Sequence, residues 1–276
     1  MPTTVPAARM SAAATAGLCL AVLLNAASAE ADDAKDLHGY LSLGAAAVPD
    51  YAGSNDYMPA PMFAGRLSYD EYYVDLRGPE LRANVMPAHL LPFGLDLGPA
   101  AAYRFGRGDV KDNRIDRMRD IDGAVALGGF AKAYTNSLLT EGDELAFEVE
   151  SLSGIGSDGQ GTTVKFGPSY SFSPMERLRL SVATTATYAS DRYSETYFGV
   201  NAANALRSGL DPYRAQGGMQ DIGLTLNATY QWTEHWGITG TVGVTQLLGD
   251  AADSPIVKDA GNATQGLVTA GVLYRF

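Results

Sequence analysis

From Asp221 to Trp232 every second residue is apolar. Ile222, Leu224, Leu226, Ala228, Tyr230 and Trp232 fall on one face, and Asp221, Gly223, Thr225, Asn227, Thr229 and Gln231 on the other. Beyond a short turn, Trp236, Ile238, Val242 and Val244 oppose Thr239, Thr241 and Thr245. At the end of the chain Gly266, Val268, Ala270, Val272, Tyr274 and Phe276 oppose Leu267, Thr269, Gly271, Leu273 and Arg275. Successive strand side chains point to opposite sides, so each segment predicts a strand with one apolar and one polar face.

The same period of two, with turn chemistry between, predicts strands at 37–48, 62–68, 72–77, 81–86, 93–105, 162–172 and 178–188. Leu145, Phe147 and Val149 against Glu144, Glu148 and Glu150 mark another, and 121–134 alternates only weakly. The tally is about twelve, an even number, as bacterial outer-membrane barrels have. Connections alternate in length. Tyr69-Asp70-Glu71, Thr135-Asn136-Ser137, Ser173-Pro174-Met175-Glu176 and Thr233-Glu234-His235 are short and, counted from a periplasmic start, lie on one side. The long, polar loops, 106–120 and 190–217 among them, lie on the other, with Gly78-Pro79-Glu80 and 87–92 as exceptions. A soluble β-sandwich has no reason to alternate its loops in this way. The expected fold is all-β: a closed antiparallel transmembrane β-barrel. Trp232, Trp236, Tyr274 and Phe276 would lie at one level as an interfacial girdle.

Targeting signals agree. Arg9, an apolar run over 12–24 and the small residues of Ala27-Ser28-Ala29 predict a cleaved signal peptide at 1–29 and a barrel domain at 30–276. The run is too short for a membrane helix, which needs ~20 apolar residues. Cys19, the single cysteine, sits inside it, so the mature chain is expected to hold no disulfide. Loss of Arg9 takes the formal charge from −11 to −12, a balance that argues against a nucleic-acid partner. Export into the outer membrane implies outer-membrane lipid, lipopolysaccharide and the barrel-assembly machinery as partners.

Little in the chain suggests catalysis. His38, His89 and His235 fall in separate places, and no metal-ligand spacing is present; no cofactor is expected. Gly154-Ile155-Gly156-Ser157-Asp158-Gly159 has the form of a dinucleotide-binding loop but is followed by a strand where a helix is required, so it reads as a hairpin loop. Arg107-Gly108-Asp109 spells an adhesive tripeptide in an outer loop, and Asn262-Ala263-Thr264 a sequon; both read as chance. Asp32, Asp33 and Asp36 read as a solvated N-terminus. On the polar face, Arg104, Lys165, Arg177 and Arg179 could meet Asp75, Glu144, Glu148, Glu150 and Asp221 across the interior. Such a barrel is either a narrow channel or closed by its own charge pairs and infolded loops.

The terminal Leu273-Tyr274-Arg275-Phe276 resembles the closing strand of an outer-membrane barrel, whose final Phe is read by the assembly machinery. Pro49-x-Tyr51-x-Gly53-Ser54 with Tyr57 and Pro61, then Tyr197-Phe198-Gly199-Val200, then the run from Leu248 through Asp250, Asp253, Ser254 and Pro255 to Val257 occur in order before it. Together they closely resemble the MipA/OmpV family. The resemblance implies an outer-membrane barrel without enzymatic activity. It further implies a scaffold linking a lytic transglycosylase to a peptidoglycan synthase at the periplasmic face. A porin-like solute channel or a surface adhesin acting through the outer loops are the alternatives. The signature residues are expected to fold loops, since Gly and Pro most often set backbone geometry.

Overall fold

The computed structural model describes residues 37–87, 93–156 and 160–276. The expected leader with Cys19, the aspartates at 32, 33 and 36, His89 and the tip of the glycine loop at 157–159 lie outside them.

Twelve strands form: β1 Leu37–Pro49, β2 Tyr57–Tyr69, β3 Tyr72–Arg77, β4 Glu80–Asn84, β5 Gly94–Arg104, β6 Ala124–Asn136, β7 Glu144–Gly154, β8 Thr162–Met175, β9 Leu178–Ala189, β10 Gly218–Gln231, β11 Trp236–Leu247 and β12 Thr264–Arg275. Each neighbours the next, and β1 pairs antiparallel with β12 to close the barrel. Closure removes the sheet edges that lipid could not satisfy. The weakly alternating 121–134 is β6. Its turn is displaced from Thr135-Asn136-Ser137: the strand runs on to Asn136 and the connection covers 137–143.

Register turns the sequence alternation into two surfaces. Leu226 stands opposite Val242 and Tyr230 opposite Ile238; on the next strand Val242 meets Val268, Ile238 meets Val272 and Trp236 meets Tyr274. All of these are exposed, so they form one outward apolar band whose solvent is lipid. On the inner face the Asn227 amide donates to Thr241 Oγ1 (2.9 Å), and the Thr229 and Thr239 hydroxyls lie 3.1 Å apart. Along the short-turn rim the rings of Trp236 and Tyr274 (4.9 Å) and of Tyr274 and Phe276 (6.5 Å) make the expected girdle. Short turns mark the periplasmic side of such barrels and long loops the outer side.

Two strands break the pattern. β3 has 6 residues and β4 has 5, too few to cross a band ~25 Å tall at ~3.3 Å per residue. Their hairpin stops partway up the wall: Gly78 N–H donates to the Phe63 carbonyl (2.9 Å), and the Pro79 carbonyl accepts from Tyr103 N–H (3.0 Å). Gly98 of β5 lies beside the point where this pairing ends. A Cβ there would stand 1.8 Å from the Ala83 carbonyl oxygen, so only glycine lets the backbones approach this closely.

The long outer connections are folded. They hold α1 (Asn113–Asp116), α2 (Asp191–Phe198), α3 (Ala202–Ser208), α4 (Gly249–Asp253) and α5 (Pro255–Lys258). Asp112, Ser190, Asn201 and Ser254 cap four of them through their side-chain oxygens. Pieces of 4 to 8 residues are too short to show a helical period, which is why they read as loops.

Candidate functional site

Three features line the path through the barrel: a charged belt in the lumen, a folded cap at the outer mouth and a pinned turn at the periplasmic rim.

Strand parity sends Arg66, Asp75, Arg77, Glu80, Arg82, Lys132, Glu144, Glu148, Glu150 and Lys165 inward. Direct register sets Arg66 opposite Asp75, Asp75 opposite Arg82 and Glu150 opposite Lys165. Arg82 is the hub, with its side chain 0% exposed. Its Nη1 donates to Glu148 Oε1 (2.6 Å) across two intervening strands; Nη2 reaches Asp75 Oδ2 (3.5 Å). Its Nε lies 3.5 Å from Glu80 Oε1, an ion-pair separation without hydrogen-bond geometry. The guanidinium covers the ring of Phe130 at 4.5 Å, and Phe130 packs in a buried cluster with Tyr73, Ala100, Ala126 and Leu152. Arg66 forks Asp75 through Nε and Nη2, both at 2.8 Å. This side of the lumen is filled.

The expected charge pairs are met in part. Asp75, Glu144, Glu148, Glu150 and Lys165 join the belt, but their partners include Arg66, Arg77, Arg82, Glu80 and Lys132, which alternation alone did not single out. Asp221 accepts from the Gln220 amide (3.0 Å). Arg177 and Arg179 are corrected: they lie on the periplasmic rim and donate to the Trp232 and Gly142 carbonyls (both 3.3 Å). Arg104 is corrected too. It donates to the carbonyls of Gly161 (2.9 Å) and Leu152 (2.9 Å) and to Thr163 Oγ1 (3.0 Å), with no carboxylate among its partners in the described residues.

The family-signature residues converge on the cap. Tyr51, buried, donates through its hydroxyl to the Ala260 carbonyl (2.9 Å), and burial raises that phenol to about 12. Gly53, at φ 96°, gives its N–H to Gln265 Oε1 (3.1 Å); a Cβ there would meet Val257 Cγ2 at 2.5 Å. Ser54 Oγ accepts from the Asp56 N–H (3.0 Å), closing the first outer loop after Pro49 ends β1. Ser254 donates to the Phe198 carbonyl (2.6 Å) while capping α5, whose first residue is Pro255. Tyr197 donates to Gln160 Oε1 (2.5 Å), and Gly199 closes α2 by donating to the Glu195 carbonyl (3.1 Å). Asp250 accepts from Gln216 N–H (2.7 Å), while Asp253 is exposed and 3.9 Å from Lys258. Two buried apolar clusters, one around Tyr51, Ile115 and Ile256 and one around Phe198, Leu247 and Val257, hold these loops together. Most of these residues thus make their contacts within the cap. Phe276 serves the barrel seam instead, exchanging both backbone hydrogen bonds with Gly39 (3.1 Å each).

Arg107 does not present an adhesive tripeptide outward. Its side chain is buried, and Nη1 donates to the Tyr197 carbonyl (2.9 Å). Of the histidines, His38 lies in β1 and His235 in the β10–β11 turn, with Nδ1 3.0 Å from the Arg275 carbonyl oxygen. Among the described residues no group of three or more His, Cys, Asp or Glu could hold a metal ion.

At the periplasmic rim, the buried Asp143 carboxylate accepts from the backbone N–H groups of Leu138 (2.7 Å), Leu139 (2.8 Å) and Thr140 (2.8 Å) and from the Tyr170 hydroxyl (2.8 Å). Burial opposes its ionisation, but these donors prevail and hold it at about 2. The turn so fixed leaves Leu138 54% and Leu139 74% exposed.

The chain is similar to several known proteins. The MltA-interacting protein of Escherichia coli (strain K12) is 32% identical over 87 residues, 32% of this chain and 34% of that one. YiaT of the same strain is 32% identical over 100 residues, 36% of this chain and 39% of its own. The matched stretch thus spans little more than a third of either relative. Among solved structures, an outer-membrane channel from Pseudomonas putida F1 aligns over 90% of this chain and 100% of its own, at 13% identity and a TM-score of 0.43. The translocator domain of autotransporter NalP from Neisseria meningitidis aligns over 96% and 98%, at 12% identity and a TM-score of 0.41. The family model described as MltA-interacting protein MipA matches residues 41–276, nearly the whole barrel, and the chain belongs to that family of outer-membrane proteins.

Proposed function

We propose that this protein is a non-enzymatic scaffold whose periplasmic rim docks a lytic transglycosylase and, beside it, a peptidoglycan synthase. The name of the Escherichia coli relative states an interaction with MltA, and it is the rim of this chain that supports carrying the idea over. The observation that carries it is the Asp143 turn. A turn that merely joined two strands needs no buried carboxylate to fix it. This one spends three backbone donors on one carboxylate and holds Leu138 and Leu139 out in a fixed pose. Rigid, exposed apolar pairs suit protein contacts. The cap and the Arg82 belt favour a scaffold over a wide pore.

Photo-crosslinking in cells from Leu138, Glu176 and Glu234 tests this. Adducts with a lytic transglycosylase are expected from Leu138. Leu138→Asp with Leu139→Asp should abolish them while the barrel keeps its heat-modifiable mobility on gels. Adducts with lipopolysaccharide or assembly factors alone would sink the scaffold reading.

Asp143→Ala should likewise weaken capture of the enzyme and make the turn at 137–143 protease-sensitive, leaving the barrel folded. The pH dependence has a definite sign. The folded-state pKa of Asp143 is depressed below the ordinary ~3.9, so its contribution is full above that value and fades as pH falls through about 2. Limited proteolysis of the turn at neutral pH and near pH 2 should show the loss; equal resistance at both would contradict it.

A narrow channel is a second reading, favoured by Arg77 and Lys165, whose side chains remain 47% and 49% exposed. It predicts stepwise conductance in planar bilayers, and a silent, correctly folded barrel removes it.

A further inference from the structure

We propose that a cleft at the outer mouth, walled by Arg104 and Arg107, binds an oxyanion, either a phosphate or a carboxylate group. The cleft measures about 360 Å³ and is lined also by Tyr51, Tyr193, Tyr197 and Gln265. That is room for a small organic anion or one lipid headgroup group.

Neither guanidinium donates to a carboxylate among the described residues. Arg107 is 6% exposed, yet among the described residues its guanidinium has one hydrogen-bonding partner, the neutral Tyr197 carbonyl, and its buried Nε has none. Burial draws this group down from its usual range to about 10, against the pull of Tyr51, Tyr197 and Asp120. Arg104 spends its terminal nitrogens on carbonyls and a hydroxyl and rests over the Tyr193 ring at 5.0 Å. Elsewhere this chain neutralises a buried guanidinium thoroughly, as the four carboxylates around Arg82 demonstrate. A buried cation with no carboxylate in hydrogen-bond contact is costly, since Asp120 acts on Arg107 only from a distance, and an incoming oxyanion relieves it with the bidentate geometry that guanidinium favours.

The acids nearby make no hydrogen bond to either guanidinium among the described residues. Asp50 lines the cleft, but its carboxylate accepts from the Lys111 N–H (2.8 Å), and Asp120 lines a separate cleft of about 670 Å³ that shares Arg107 as a wall. The cleft is lined by outer-loop residues, Asp50 to Ala52 and Gly106 to Arg107 among them. A free anion can come from the medium and a headgroup phosphate from the outer leaflet.

The test uses the mature chain refolded in detergent free of lipopolysaccharide. Inorganic phosphate and citrate are titrated by calorimetry at ionic strength matched with sodium chloride, with glucose as the neutral control. Saturable binding is expected for phosphate or citrate, weakened at least tenfold by Arg107→Gln and by Arg104→Gln. Protease resistance of the segment 190–217 establishes that each variant keeps its cap. Displacement of bound phosphate by lipopolysaccharide identifies a headgroup as the occupant, and failure to displace it identifies a soluble anion; either accords with the site. Absence of saturable binding in the wild-type chain, or equal binding in both variants, overturns it.

Discussion

Replacing Arg82 with alanine is expected to lower the unfolding free energy of the refolded barrel by about 3–5 kcal/mol, the cost of stranding buried charges by removing one partner. Four carboxylates converge on this guanidinium: Glu148 at 2.6 Å, Asp75 and Glu80 at 3.5 Å and Glu150 at 4.0 Å. Arg66, Arg77 and Lys165 would remain to answer them, but from the edges of the cluster and with part of their charge in water. The Phe130 ring would also lose its cation. Shape matters beside charge: β3 and β4 are the shortest strands of the wall, and Arg82 ties β4 to β7 across the interior. Arg82→Lys should recover part of the loss, since one ammonium cannot fork to several carboxylates as a guanidinium does. Arg179→Ala, on the exposed rim, should cost under about 0.5 kcal/mol. Urea titration of tyrosine fluorescence, with heat-modifiable mobility as a second readout, distinguishes these outcomes. An Arg82→Ala barrel as resistant to urea as wild type would show that the belt lines the lumen without supporting it.

The strands were legible because a membrane wall imposes its pattern on every residue. Val242 must face lipid and Thr241 must not, and the sequence carries that constraint in a period of two. Alternation also gave the inward side of Asp75, Glu148 and Lys165. It could not give Arg82 its role, because that depends on which strands stand across the lumen from each other. A contact such as Arg82–Glu148, 66 residues apart, has no local signature. The cap was hidden for a different reason. Its helices are too short for periodicity, and their evidence lay in single capping residues such as Ser190 and Ser254, which also occur in ordinary turns. In the structure Tyr51, Phe198 and Ser254 hold three distant loops to one another, contacts with no local signature in the sequence. At the rim, nothing in the sequence from Ser137 to Asp143 shows that one carboxylate gathers three amides; that requires the turn to be closed.

Phe198→Ala should open the cap and leave the barrel standing. Phe198 is 0% exposed and packs with Tyr197, Ala215, Leu247, Ala251 and Val257, so truncation leaves a cavity worth about 3–5 kcal/mol. The loss falls on a small unit. The cap is joined by short helices and side-chain hydrogen bonds to loops, whereas the wall is a closed ladder paired on both edges of its strands. Units of such different cohesion open separately. The barrel should therefore keep its heat-modifiable mobility while the segment 190–217 becomes accessible to protease added to intact cells. Asp253→Ala, which removes only an exposed pair with Lys258 at 3.9 Å, should leave that segment protected. Planar-bilayer recordings then separate the two seals of the lumen. If the cap is the gate, Phe198→Ala alone should conduct. If the Arg82 belt is the tighter closure, the barrel stays silent until both are removed, because the charges from Asp75 to Glu150 still fill its waist. Cleavage resistance equal to wild type would refute the cap as a separable unit.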